Sequence, residues 1–184
     1  KVQEISNTVY SLAILQVRHD IFLEGVCNHL PRRLRELTPQ NLSNIIYGFG
    51  LLRFGSLEKL DVTCAHAEQR ILEFNSQDVA NTVYALGLLQ IRHVGFLHAA
   101  CSHAAGHLRF FSEQEIANQI YALGRLQYSH ATFLQALSLA LPSRMKEFTA
   151  QGFINLAYGI ALLLESNAEK MSGRHAVRTC RLKK

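Results

Sequence analysis

Identical residues recur every 37 positions along this chain of 184 residues. The recurrence is unbroken in four columns, each with five members: Gln3, Gln40, Gln77, Gln114 and Gln151; Asn7, Asn44, Asn81, Asn118 and Asn155; Tyr10, Tyr47, Tyr84, Tyr121 and Tyr158; and Leu15, Leu52, Leu89, Leu126 and Leu163. Because no insertion interrupts these columns, we divide the chain into tandem repeats at 1–36, 37–73, 74–110, 111–147 and 148–184. The fold must therefore be built from copies of one unit.

Each repeat carries the signals of two helices. The first, helix A, is preceded in four repeats by a good N-cap residue: Thr38, Asn75, Ser112 and Thr149. Its apolar residues follow at helical spacing, as Val79 and Val83 do. After a short turn, the second helix, helix B, carries its own apolar stripe. Pro31 and Pro142 share one column late in helix B, where we expect a kink or break.

Stacked helix pairs bury a continuous core between neighbouring repeats, so the sequence predicts an all-α fold, a right-handed α-solenoid of about five helix pairs. A column of small residues allows neighbouring A helices to approach closely: Ala13, Gly50, Gly87, Gly124 and Ala161. The last helix B departs from the pattern, because Glu165 replaces an apolar residue and Arg178 replaces Leu or Ala. Since the first residue lies inside a repeat, we expect the chain to be part of a longer protein.

Composition and motifs argue against several function classes. No uncharged apolar run approaches the roughly 18 residues that a membrane-spanning helix needs. Cys27 and His29, whose types recur in two further repeats, are two residues apart on a helix and point in different directions, so they cannot chelate one metal ion. No nucleophile elbow, phosphate-binding loop or zinc-protease motif is present. We therefore expect a protein that is not an enzyme, with no cofactor, metal or small-molecule substrate. Histidines at the A–B turn have capping or exposure as their expected role: His19, His93 and His130.

A polar stripe on helix A is the strongest candidate for a binding surface. Gln77, Asn81 and Tyr84 lie at i, i+4 and i+7, away from the apolar face. Amides can bond base edges or phosphates, and aromatic rings can stack on bases. Because stacking aligns the repeats, we predict single-stranded RNA contact through Gln40, Asn44, Tyr47, Gln77, Asn81, Tyr84, Gln114, Asn118 and Tyr121. The alternative left open is structural: amide ladders between repeats, and tyrosine rings buried between them.

Reading a base sequence along a strand needs residues that vary from repeat to repeat, because a column that never varies cannot discriminate one base from another along the strand. The variable column beside the stripe supplies these candidates: Thr8, Ile45, Thr82 and Gln119, followed by Leu156. A second variable column also serves helix capping: Glu4, Asn41, Asp78, Glu115 and Gly152. The first column is therefore the more informative of the two.

Basic residues concentrate near the ends of the repeats. Ten of the 19 fall in the last five positions of a repeat: Arg32, Arg33, Arg35, Arg70, Arg109, Arg144, Lys146, Arg181, Lys183 and Lys184. Stacking gathers them into what we call the basic ridge, and we predict phosphate contacts from Arg33, Arg35, Arg70, Arg109, Arg144, Lys146 and Arg181. In the other interpretation, these cations stay solvated and complement helix C-termini. Glu36, Glu73 and Glu147 lie beside the ridge and dilute its charge.

The repeat resembles the heptatricopeptide and octotricopeptide repeats of organellar RNA-binding proteins. The resemblance rests on units such as residues 74–86, FNSQDVANTVYAL, and the 37-residue period favours the heptatricopeptide type. It implies RNA binding in mitochondria, with plastids as the alternative location. It also implies membership of a mitochondrial ribosome or an RNA-processing assembly, with neighbouring proteins as further partners.

A protein–protein scaffold without direct RNA contact is the alternative function, because α-solenoids serve this purpose equally well. The modest net charge of +5 favours it. So do large apolar residues at turn or surface positions, namely Phe54, Ile91 and Tyr128. RNA binding predicts strong salt dependence, whereas binding to a protein partner would be less sensitive to salt.

Overall fold

The computed structural model describes the backbone of residues 1–181 and the side chains of residues 1–168, and this part of the chain contains helices and no strands. Four helix A–helix B pairs follow one another: α1 (Val2–Ile14) with α2 (Asp20–His29), α3 (Pro39–Leu51) with α4 (Leu57–Gln69), α5 (Ser76–Leu89) with α6 (Val94–His107), and α7 (Glu113–Arg125) with α8 (Ala131–Arg144). A single long helix, α9 (Ala150–Arg181), ends the described chain. The predicted all-α solenoid is confirmed.

The predicted starts of helix A are confirmed by their hydrogen bonds. The side-chain oxygens of Thr38, Asn75 and Ser112 accept from the N–H groups of the third residue on, at 3.2, 2.8 and 3.3 Å. Thr149 does the same for Gly152 at 3.1 Å. Each cap follows a short 3₁₀ turn that closes the preceding repeat: Leu34–Glu36, Ile71–Glu73, Leu108–Phe110 and Met145–Glu147. The repeat boundary is thus a local structure that the sequence specifies.

The start of helix B is capped by histidine in three repeats. The Nδ1 atoms of His19, His93 and His130 accept from backbone N–H groups of Phe22, Phe96 and Phe133 at 3.1, 3.0 and 3.3 Å. Ser56 takes the same position in the second repeat. The capping role expected for these histidines is confirmed, and it requires the neutral ring with an unprotonated Nδ1.

The turn from helix A to helix B has the same backbone in the first four repeats. Its first residue has a positive φ of 50° to 58°: Gln16, Arg53, Gln90 and Gln127. The next N–H then bonds to a carbonyl five residues earlier, as Phe54 does to Phe49 at 2.9 Å. This folds the apolar turn residue under the helix, so Phe54, Ile91 and Tyr128 are only 5%, 3% and 7% exposed. Their interpretation as surface residues that favour a scaffold was wrong.

The fifth repeat is not a helix pair, because α9 continues through the position of the A–B turn. Leu164 stands where the other repeats have the positive-φ residue, and a bulky side chain disfavours that conformation. Glu165 stands where the second, third and fourth repeats bury an apolar residue, so the turn also loses its hydrophobic contact. The prediction of five pairs is corrected to four pairs and one long helix. Arg178 lies outside the described side chains.

The A helices form a closely packed layer, α1–α3–α5–α7–α9, while the contacts between successive B helices are fewer. The small-residue column explains this: a Cβ added at Gly50 or Gly87 would lie 2.7 or 2.6 Å from the Cβ of Ala85 or Ala122. Pro31 lies in a 3₁₀ turn after α2 has ended, as expected, whereas α8 continues through Pro142 to Arg144. Among the described residues, no helix has the length and hydropathy to cross a membrane.

Candidate nucleic-acid interface

The five tyrosines of helix A lie side by side as one ladder along the A-helix layer. Their ring centroids are 6.3, 6.4, 6.1 and 5.9 Å apart from Tyr10 to Tyr158, with interplanar angles of 29° to 41°. The end rings are 38% and 52% exposed, and the three inner rings are half-buried. The ladder is therefore part of the packing between repeats and also part of the surface.

The hydroxyl groups of Tyr47 and Tyr84 keep their protons at neutral pH. Burial raises the pKa of Tyr47 and Tyr84, and in Tyr84 the charges of Arg53 and Arg125 oppose this shift. Within the described residues, neither hydroxyl makes a hydrogen bond, whereas the Tyr121 hydroxyl accepts from Arg125 at 3.1 Å. At neutral pH, the Tyr47 and Tyr84 hydroxyls are thus free donors.

The glutamine column is exposed in all five repeats, and the asparagine column is half-buried in the inner ones. Part of an amide ladder exists: Asn155 donates to Asn118 at 3.4 Å, and Gln151 donates to Asn155 at 3.0 Å. In the described part of the chain, Asn44 and Asn81 make no side-chain hydrogen bond. The structural alternative therefore holds for the last pair of asparagines, while the other amides remain available to a ligand.

Arg53 and Arg125 lie beside the ladder, a placement that the sequence analysis missed. Both cations act on Tyr84, from the repeats on either side of it. The Arg125 guanidinium lies 5.7 Å from the Tyr121 ring centroid, and Arg53 donates to the carbonyl of Leu88 at 2.5 Å. Neither is paired with a carboxylate among the described residues. Both lie in the middle of their repeats, whereas the basic residues of the ridge cluster at the repeat ends.

The residues predicted to discriminate bases are buried. Ile45, Thr82 and Gln119 are all 0% exposed, and Leu156 is 3% exposed. Each follows a stripe asparagine by one position and so turns into the contact between adjacent A helices. These side chains cannot reach a base, and the prediction was wrong for them. Thr8 is exposed and donates to the carbonyl of Glu4 at 2.7 Å, so its role stays a prediction.

Three arginines of the basic ridge are neutralised by neighbouring glutamates. Arg33, Arg70 and Arg144 form ion pairs with Glu36, Glu73 and Glu147, at 2.5, 2.6 and 2.8 Å. Arg70 and Arg144 also donate to the carbonyls of Leu37 and Leu108 in the preceding repeat, at 2.6 and 3.3 Å. The exposed ridge cations without such pairs include Arg35, Arg109 and Lys146, while the Arg181 side chain lies outside the described residues. Phosphate contact by the ridge stays a prediction.

The buried cysteines show no sign of reactivity. Cys27, Cys64 and Cys101 lie on the apolar stripe of helix B, and burial raises their pKa to about 11, about 12 and about 12. Thiols with raised pKa values are poor nucleophiles and poor metal ligands at neutral pH. They are small residues of the hydrophobic core.

Comparison with protein families gives a match over residues 1–168, to the family described as RNA-editing substrate-binding complex 6 protein (RESC6). The chain belongs to this family. The RESC6 match spans all four helix pairs and the described side chains of α9. It supports the resemblance to RNA-associated helical proteins and corrects the specific assignment, because the matched family is not a heptatricopeptide family. No curated protein matches the chain.

Proposed function

We propose that this RESC6-family chain is a component of an RNA-editing complex that binds single-stranded RNA along its A-helix layer. The contacting groups are the exposed glutamines, the available asparagine amides and the tyrosine ladder, with Arg53 and Arg125 at the phosphates. The family description supports a role with RNA in a complex. The direct contact is argued from the surface described above. The role is binding and not catalysis.

The observation that carries this proposal is the invariance of an exposed column. Gln3, Gln40, Gln77, Gln114 and Gln151 are identical and exposed. Exposed positions at the start of helix B have instead diverged completely, as Asp20, Leu57, Val94 and Ala131 show. Recent duplication would have left both columns alike, and core packing constrains neither. A shared ligand that runs across the repeats explains why the exposed glutamines were kept while the exposed positions of helix B were not.

The chemistry of the surface suits a polyanion with exposed bases. Neutral tyrosine hydroxyls and amide N–H groups donate to phosphate or base oxygens, and the partly exposed rings offer apolar area for stacking. Arg53 and Arg125 add positive charge, and no carboxylate of the described side chains, residues 1–168, is paired with either of them. We call this proposed interface the A-helix track. It consists of the glutamine, asparagine and tyrosine columns, which recur in each repeat, together with Arg53 and Arg125.

The test is a matched pair of glutamine variants in a binding measurement. Gln77→Ala with Gln114→Ala removes two exposed amides of the track, and Gln69→Ala with Gln135→Ala removes two exposed amides of helix B. We expect the track variant to bind an unstructured RNA of about 20 nucleotides roughly tenfold more weakly, since each lost hydrogen bond costs about 0.5–1.5 kcal/mol. Fluorescence anisotropy with labelled RNA measures the affinity.

The control variant should bind like the parent protein, and circular dichroism should show both variants equally helical. Equal affinity of all three proteins would contradict the assignment of RNA to the A-helix layer. Failure of the parent protein to bind RNA would refute direct contact altogether.

The mitochondrial location implied by the resemblance is kept in this proposal, because RNA-editing complexes of this kind are mitochondrial in kinetoplastids. An RNA-editing complex replaces the mitochondrial ribosome as the proposed assembly. The plastid alternative has no support from the family match.

A second candidate function, contact with a neighbouring protein, is favoured by an apolar groove between α8 and α9. The groove has a volume of about 510 Å³ and is lined by residues such as Leu137, Leu141 and Leu163. It occupies the place next to α8 where a fifth helix B would pack. Exchanging Leu141 for Asp should weaken assembly of the complex and leave RNA affinity unchanged, measured by co-purification and anisotropy. Unchanged co-purification would reject this role for the groove.

A further inference from the structure

We infer that the A-helix track binds single-stranded RNA without discriminating between base sequences. The inference rests on the proposed function and concerns the class of RNA that this surface accepts. It follows from which columns reach the surface, from the spacing of the tyrosine rings and from the position of the unpaired cations.

The exposed amides and rings of the track belong to invariant columns, and the variable column beside them is buried in every repeat except the first. A strand lying along the track meets Gln, Asn and Tyr in every repeat. The residues that differ between repeats, Ile45, Thr82 and Gln119, are 0% exposed. Repeat proteins that read RNA base by base do so with two or three side chains that change from repeat to repeat. The amides and rings of the track do not vary in this way.

The tyrosine ladder has no slot that could hold and read a base. A base inserted between two rings needs about 7 Å between them, twice the spacing of about 3.4 Å between stacked nucleotides. The ring centroids are only 5.9 to 6.4 Å apart and the rings are tilted. Three cavities of about 510, 380 and 230 Å³ in the described part of the chain include no residue of the track. Bases therefore touch the outer edge of the ladder.

The remaining contacts are also indifferent to sequence. Arg53 and Arg125 flank Tyr84 and lack a carboxylate partner among the described residues, so phosphate oxygens are their natural ligands. Aromatic contacts are tolerant because every base has an apolar face. The sum is a positively charged, aromatic track that recognises single strands as a chemical class.

The decisive experiment compares oligo(U), oligo(A) and oligo(C) of equal length, with a duplex of the same length, by anisotropy at one salt concentration. We expect the three single strands to bind within about fivefold of one another and the duplex to bind more weakly. A preference above roughly thirtyfold for one homopolymer would overturn the inference while leaving RNA binding intact. Absence of binding to every oligonucleotide would refute the proposed function itself, and the inference with it.

A variant provides the second readout. Tyr84→Leu should weaken binding to all three homopolymers by the same factor, because the ring supplies area and not base recognition. Tyr84→Phe, which keeps the ring and loses only the hydroxyl donor, is the matched control and should bind more tightly than Tyr84→Leu and only a few-fold more weakly than the parent protein. A loss confined to one homopolymer would assign base reading to this tyrosine and contradict the inference. Thermal melting confirms that both variants fold.

Discussion

Replacing the buried Gln119 by methionine should make the protein more stable. Gln119 is 0% exposed, and neither its Nε2 nor its Oε1 atom has a hydrogen-bond partner. An unsatisfied buried amide costs about 1–3 kcal/mol. Methionine has the same unbranched shape without the polar atoms, so Gln119→Met should recover most of that cost. Ile45 and Leu156 occupy the same column and show that the site accepts an apolar side chain.

The assay is thermal unfolding followed by circular dichroism. For a chain of this size, about 1 kcal/mol shifts the midpoint by roughly 2–4 °C, so the expected rise is about 2–10 °C. Thr82→Val is the matched control in the same column, because the Thr82 hydroxyl is already satisfied by the carbonyl of Asp78 at 2.8 Å. It should leave the midpoint unchanged or slightly lower. A lower midpoint for Gln119→Met would show that the amide has a partner and that the burial argument is mistaken.

Two further perturbations follow from the packing and the caps. Gly87→Ala places a Cβ 2.6 Å from that of Ala122 and should lower the free energy of unfolding by about 1–3 kcal/mol. Gly106→Ala meets nothing within 4 Å and should raise it by up to about 1 kcal/mol, because alanine favours the helix α6. Denaturant unfolding compares the two variants, and equal effects would refute the argument that the A helices approach too closely for a side chain at residue 87. Burial, and after it the neighbouring His98, lower the pKa of His130, so the folded state favours the neutral ring. The free energy of unfolding should therefore be highest above about pH 6.5, the pKa of an unperturbed histidine, and should decrease as the pH falls below that value. His130→Ser keeps a cap that does not titrate and should shrink the difference in midpoint between pH 7.5 and pH 5.5, and an unchanged difference would remove this cap from the explanation.

Local signals made the repeat architecture predictable. Thr38, Asn75 and Ser112 each cap the helix that they precede, because capping depends on a few neighbouring residues. Because equivalent residues recur every 37 positions, the structure of one repeat predicts that of the next. The exception is the fifth repeat, where Leu164 and Glu165 replace both residues that make the turn, and α9 continues. Glu165 breaks the apolar column in the sequence, and the loss of the turn is its structural consequence.

Burial on helix A was harder to predict, because each A helix packs against an A helix on either side as well as against its own helix B. A wheel with one apolar face assigns Thr82 to the surface beside Asn81. In the solenoid, a rotation of one residue turns the side chain into the next A helix, and Thr82 is buried. The exposed part of helix A is therefore narrower than that of a helix with a single buried face. The turn residue Phe54 was misassigned for a similar reason, since its burial depends on the positive φ of Arg53.

The number and position of the charged residues could be read from the sequence, but which arginines form ion pairs could not. The ridge contains most of the clustered cations, yet Arg70 and Arg144 are each held by a glutamate three residues on and by a carbonyl of the preceding repeat. Their structural role is to join repeats. Arg53 and Arg125 are isolated in sequence, and they are the cations that flank the tyrosine ladder.

This difference gives a prediction that separates the two sets of arginines. Each phosphate contact with a single strand contributes about 0.7 to the slope of log affinity against log salt. Arg53→Gln with Arg125→Gln should therefore reduce that slope by about 1.4, with a smaller drop in the melting midpoint than the ridge variant shows, because Arg53 loses a bond to the Leu88 carbonyl but no ion pair is lost. Arg70→Gln with Arg144→Gln should lower the midpoint and leave the slope near that of the parent. Anisotropy titrations at several salt concentrations measure the slope. The reverse pattern would assign the phosphate contacts to the ridge arginines, because the salt dependence identifies the cations that displace counterions from the RNA.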